Sequence, residues 1–167
     1  SHENIYFLSE YSKMKVSLKA TYGIMAALDL ALHNGTSPIQ AKTIARRQAI
    51  PLRFLEQVLH AMKQAGLVDS LRGARGGYLL GKLPGEIALA EIVEALDGPL
   101  TPSAGLRTAR GMDSRHARER TKPDSLLAGV WEQVRQAELG ILSAVTLTDL
   151  VQRHQQLEQE RTLMYHI

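Results

Sequence analysis

The chain has 167 residues, 44% of them hydrophobic and 22% charged, which suits one compact globular domain with an appendage. It contains no cysteine, which excludes disulfides, thiolate zinc sites, cysteine nucleophiles and all-cysteine iron–sulfur clusters, and accords with a cytoplasmic protein. The net charge of +3 is unevenly spread: residues 14–86 carry ten Lys/Arg against four Asp/Glu, residues 87–167 nine against eleven, so a polyanion partner is expected for the front half only.

No apolar run approaches the roughly 18 residues of a membrane span. Residues 1–13 contain Glu3-Asn4-Ile5-Tyr6-Phe7-Leu8-Ser9, which looks like an altered protease-site tag, and they lack the apolar centre and cleavage site of a secretory signal. They are set apart as a tag or extension. Ser17 is the expected N-cap of a helix with Leu18, Tyr22, Met25, Leu28 and Leu32 on one side, closed by a left-handed Asn34-Gly35. After Ser37-Pro38, residues 40–48 form a short helix with Ile44 and Ala45 inward. Pro51 is expected as the first residue of the next helix, where its missing N–H costs nothing. In that helix Leu55, Val58, Leu59 and Met62 recur at i, i+3, i+4 and i+7, with Arg53, Gln57, His60 and Gln64 opposite.

Two β-prone runs, residues 67–72 and 78–81, flank Gly73-Ala74-Arg75-Gly76-Gly77, a hairpin signal. Leu89, Ile92, Val93 and Leu96 restore helical periodicity until Gly98-Pro99. Residues 100–124 show no periodicity and read as a long exposed loop, with six basic and two acidic residues between Arg107 and Lys122. A helix of about 30 Å is then expected from about Ser125 to Ala144, carrying Leu127, Val130, Trp131, Val134, Ala137, Ile141 and Leu142. Thr146–Asp149 offers capping residues for a last helix carrying Leu150, Val151, His154 and Leu157.

The fold class is therefore mainly α with a small β-hairpin, in the order of a winged helix-turn-helix. Its expected divisions are a DNA-binding domain at 14–85, a connecting helix at 86–99, the basic loop at 100–124 and C-terminal helices at 125–160. A helix entering the major groove needs exposed donors near its N-terminus. Arg53 suits guanine O6 and N7, and Gln57 adenine N6 and N7, while His60 and Gln64, further along, are expected to meet phosphate or solvent. Lys42, Arg46 and Arg47 on the bracing helix are expected phosphate contacts. Arg72 and Arg75 sit on a finger where Gly73 and Gly76 let the backbone approach, and arginine favours a narrow minor groove. Each feature alone is ordinary surface; together, on the basic half, they favour double-stranded DNA.

Several segments are similar to the Rrf2 family of bacterial transcription regulators: 14–23, 28–32, 44–50, 54–59, 65–68, and above all Arg72-Gly73-Ala74-Arg75-Gly76-Gly77-Tyr78-Leu79-Leu80. Residues 92–99 and 146–151 match later landmarks. The resemblance implies a homodimer on a palindromic operator, with the long C-terminal helix against its partner. Leu127, Val130, Trp131, Val134 and Ile141 are the expected interface, although the core of a single protomer fits the same pattern. It also makes Lys19 and Tyr22 candidate phosphate contacts, and for Tyr22 core packing is an equal alternative. Pro51 belongs to the same DNA-binding set.

Many members hold an iron–sulfur cluster on three cysteines after a Leu-x-Gly-Pro landmark. Here Leu96-Asp97-Gly98-Pro99 is followed by none. Asp113, His116 and Glu119 are the metal-competent side chains of that loop and, among arginines, make a poor cluster site, so no cofactor is expected. Arg107, Arg110, Arg115, Arg118, Arg120 and Lys122 are read as a solvated loop, or else as further phosphate contacts or a seat for an anionic effector or acidic partner. The glycines do not lead a strand into a helix, no two histidines share a metal spacing and there is no nucleophile elbow, so no enzyme is expected. The competing reading is a winged-helix module that docks a protein. An unidentified small-molecule or protein effector is compatible with either.

Overall fold

A computed structural model describes residues 16–33, 37–100 and 123–165, the last stretch with its side chains from residue 129 onward. Helix α1 (Leu18–Leu32) begins as expected: the Ser17 Oγ accepts the Ala20 N–H at 3.0 Å. The expected Asn34-Gly35 stop lies outside the described residues. Helix α2 (Ala41–Gln48) ends on Ala49, left-handed at φ 53°, and α3 (Leu52–Gln64) follows almost at once. Pro51 is the cap of α3, one position before the expected first turn, and its carbonyl takes the Leu55 N–H at 2.9 Å. A missing N–H is as harmless there as inside the first turn.

All four stripe residues of α3, Leu55, Val58, Leu59 and Met62, are fully buried. They meet Leu30 of α1, Ile44 of α2 and Ile92 and Val93 of α4 (Leu89–Asp97) in one core. Gly98, at φ 86°, ends α4. Strands β1 (Val68–Leu71) and β2 (Gly77–Leu80) pair antiparallel, Val68 opposite Leu80 and Leu71 opposite Gly77, one residue earlier at the second strand than expected.

Helix α5 (Pro123–Ala144) and helix α6 (Leu147–Tyr165) complete the chain. The joint between them is stitched to the start of α4: Leu89 N–H donates to the Val145 carbonyl at 2.9 Å, and Leu147 N–H to that of Ile87 at 3.0 Å. Leu147 is fully buried in the main core. Leu142 also packs there, while Val130, Trp131, Val134 and Ile141 are 46–65% exposed. Leu127 lies where side chains are not described.

Helix α6 packs on α1 and on the 3₁₀ turn Pro84–Glu86, then leaves the body, and every residue from Gln152 to Tyr165 is exposed. His154 and Leu157 are therefore exposed. Their spacing is amphipathic, but the helix outruns the domain that would cover it. The basic segment at 101–122, with Asp113, His116 and Glu119, lies outside the described residues. Among the described residues no helix is long and apolar enough to cross a membrane.

Candidate nucleic-acid interface

The site begins with α3. Because its apolar stripe is sunk in the core, the helix has no freedom to roll, and Arg53, Gln57 and His60 are held exposed on the far side. Pro51 stands exposed at the entrance to the helix. On α2, Lys42 and Arg46 are likewise exposed. Arg47 is exposed as well, but its guanidinium is tied inward: its Nη2 donates to Asp29 Oδ2 at 2.7 Å, and Asp29 is fully buried.

The finger is rooted directly on α3. Gly66, at φ 74°, turns the chain out of the helix, and the Leu67 N–H donates back to the Met62 carbonyl at 3.0 Å. Lys63 near the end of α3 reaches across to the Ser70 hydroxyl of β1. On its other side the finger is clasped to the entry of α2. Ile39 and Tyr78 pair as an isolated bridge, which gives the hairpin a one-residue third strand.

At the tip Arg72, Gly73 and Arg75 are exposed. Gly76 is buried and its N–H donates to the Gly73 carbonyl at 2.9 Å. A Cβ on Gly76 would stand 2.9 Å from that oxygen, so this glycine shapes the turn from inside.

Helix α1 contributes Lys19 and Tyr22, both half-buried. The Tyr22 ring meets Phe54 of α3 edge-on, with centroids 5.4 Å apart and planes at 81°. This packing contact couples α1 to the residue beside Arg53. Ser17 ties the same end of α1 to α4, its N–H donating to Asp97 Oδ2 at 3.2 Å and its hydroxyl to Asp97 Oδ1.

Three parts of this arrangement escaped the sequence reading. Asp29 carried one signal, a lone acid in the apolar run from Ile24 to Leu32. Ile39 and the Ser17–Asp97 pair carried none, since each depends on a partner far along the chain.

A donor-bearing second helix in a helix-turn-helix, flanked by an arginine-tipped β-finger, defines a winged helix-turn-helix transcription regulator that binds DNA. The chain belongs to the Rrf2 family, described as iron-dependent transcriptional regulators, whose model matches residues 16–153. It is 34% identical over 152 residues to the transcriptional regulator CymR of Bacillus subtilis, across 91% of this chain and 99% of that protein. The solved structure of that CymR, the global cysteine regulator, superposes with a TM-score of 0.67 at 32% identity, over 84% of this chain and 98% of the other. The IscR structure from T. potens gives 0.66 at 33% identity, over 86% and 90%.

Among the described residues, the iron in the family's description meets no matching donor set. The chain has no cysteine, and the described residues bring no three His, Asp or Glu side chains together as metal ligands.

Proposed function

We propose that this protein binds a palindromic operator as a homodimer, in the cytoplasm and without catalytic activity of its own. The observation that carries this reading is that Arg53 and Gln57 are exposed on a helix whose opposite face is fully buried and whose end runs straight into the finger. Arg53 would bridge guanine O6 and N7, and Gln57 adenine N6 and N7. His60, Lys42, Arg46, Lys19 and Tyr22 would meet phosphates, and the exposed Pro51 would lie against the backbone. Arg72 and Arg75 would enter the minor groove, with Gly73 giving the finger close approach.

Dimerisation is supported by α5. Val130, Val134, Ala137 and Ile141 repeat at spacings of four, three and four, the pattern of a helix-pairing seam, and all four are exposed in the single chain. Large apolar side chains of this kind gain about 1.5–3 kcal/mol each on full burial, enough to drive pairing with a second copy. Trp131 flanks the same seam, and Leu127 continues its spacing.

Iron–sulfur sensing is left out of this reading, because a chain without thiolates lacks the ligands that hold such clusters. The protein-docking alternative loses ground with the donors of α3 present and exposed. Selection of bound sequences from random duplex DNA tests the proposal. It should return a two-fold symmetric motif with half-site centres about one helical turn, or a multiple, apart. A pool with no enriched motif would refute sequence-specific binding, and an asymmetric single site would refute the dimer.

A further inference from the structure

Asp29 lies in the last turn of α1 with no exposed surface, the one buried charged side chain among the described residues. Both of its carboxylate oxygens are taken by α2. Oδ2 accepts from Arg47 Nη2 at 2.7 Å, and Oδ1 from Gln48 Nε2 at 2.8 Å. His33 closes the same corner, donating from Nδ1 to the Asp29 carbonyl at 2.8 Å. No buried side-chain polar atom among the described residues is left unpaired, so the cluster is complete as it stands.

The position of the two donors gives the cluster its meaning. Arg47 and Gln48 are the last two residues of α2, directly before Ala49, the left-handed residue that redirects the chain into α3. The carboxylate thus holds the turn of the helix-turn-helix itself, and it does so from the first helix. We propose that Asp29 is a positioning residue for DNA recognition. It withdraws Arg47 from the phosphate-contacting set and fixes the angle at which α3 presents Arg53 and Gln57. This rests on the DNA-binding reading above.

The chemistry is specific to a carboxylate. Asp29 offers a charged acceptor to each donor, whereas asparagine would keep one neutral oxygen for Arg47 and set its amide N–H against Gln48, which must turn its own amide over to accept it. With the charge removed, Arg47 keeps only a neutral acceptor in place of a charge-assisted bond, and from the surface of α2 it turns to DNA as one more cation. Each phosphate neutralised steepens the dependence of log affinity on log salt by about 0.9, so an arginine that changes sides is countable.

The experiment titrates the selected duplex and a scrambled duplex, at several salt concentrations, against the parent, Arg46→Ala, Arg47→Ala, Gln48→Ala and Asp29→Asn. Failure of the parent to bind any duplex rejects the DNA-binding reading, a result distinct from any difference among the variants. Arg46→Ala calibrates the assay by flattening the slope by about 0.9. Arg47→Ala should leave the slope at the parent value while lowering the ratio of specific to non-specific affinity by roughly tenfold, mid-range for coupled neighbours. Asp29→Asn, where circular dichroism shows it folded, should lower the same ratio and steepen the slope by about 0.9. Arg47→Ala leaves the buried Asp29 carboxylate with Gln48 alone, an uncompensated charge, so it too is read where circular dichroism shows it folded. Gln48→Ala, which keeps the ion pair, should lower the ratio at the parent slope and decides if neither folds. A flattened slope or an unchanged ratio in folded Arg47→Ala, an unchanged ratio in Gln48→Ala, or an unchanged slope in folded Asp29→Asn, overturns the proposal.

Discussion

Ile39 and Tyr78 exchange both of their backbone hydrogen bonds, Ile39 N–H to the Tyr78 carbonyl at 2.9 Å and Tyr78 N–H to the Ile39 carbonyl at 2.8 Å. This one pair fixes the finger relative to α2, and Gly77 makes it possible. A Cβ on Gly77 would stand 2.5 Å from the Ile39 oxygen, and Gly77 has a φ of +152°, which L side chains rarely adopt. Gly77→Ala should therefore part the finger from α2 and loosen Ile39 and Tyr78, which pack against the core. We expect a loss of stability of about 1–3 kcal/mol, read by urea unfolding, with operator affinity falling further than Arg72→Ala alone makes it fall. Wild-type affinity in Gly77→Ala would mean that the finger has no part in binding.

The recognition face makes a sharper prediction. Replacing Arg53 by Ala should cost about 1–3 kcal/mol of operator affinity and relax preference at one base pair per half-site. Arg72→Ala and Arg75→Ala should weaken binding with changed preference confined to A·T-rich flanks. Selection of random duplexes by each variant distinguishes the two outcomes. Equal effects of Arg53→Ala on every sequence would reassign Arg53 to phosphate.

Legibility in the sequence tracks the range of the interaction concerned. The face of α3 was legible because burial of Leu55, Val58, Leu59 and Met62 repeats with the pitch of the helix, and a pattern within one element needs no partner. Ser17 as a cap was legible for the same reason, its bond reaching only to Ala20. Asp29 was not, because its meaning lies in Arg47 and Gln48, 18 and 19 residues away. Ile39 stands alone between breaks, with no run long enough to show the period of a strand. On α6 the limit of the pattern is of another kind. His154 and Leu157 continue a true amphipathic spacing, but periodicity reports only that a face exists and not where the body that covers it ends.

Helix α5 carries a prediction about assembly. Val134 is 46% and Ile141 65% exposed in the single chain, and a charge placed on the seam at Val134 would be carried into any helix pair that forms there. Val134→Asp should shift the protein from dimer to monomer in sedimentation equilibrium while leaving its helical circular dichroism unchanged. Losing the second half-site contact should then reduce affinity for the full palindrome about 10²-fold or more, with single half-site binding retained. A Val134→Asp protein that remains a dimer would place the interface elsewhere.

The joint between α5 and α6 should respond to acid. At the start of α6 the Thr146 N–H donates to Asp149 Oδ2 at 2.8 Å and the Thr146 hydroxyl to the same oxygen at 3.0 Å, while Asp149 N–H returns a bond to that hydroxyl at 3.4 Å. The backbone N–H, followed by the hydroxyl, holds the Asp149 carboxyl below its ordinary value of 3.8. A carboxyl depressed in the folded state contributes stability that is fully present above its unfolded pKa and is lost as the pH falls through the folded one. The stability gap between the parent and Asp149→Ala should therefore be constant from pH 7 down to about pH 5, then narrow below that ordinary value. Chemical unfolding across that range measures the gap directly. A gap that persists undiminished at the acid end would mean that Asp149 acts through packing or helix propensity and not through its charged, hydrogen-bonded form.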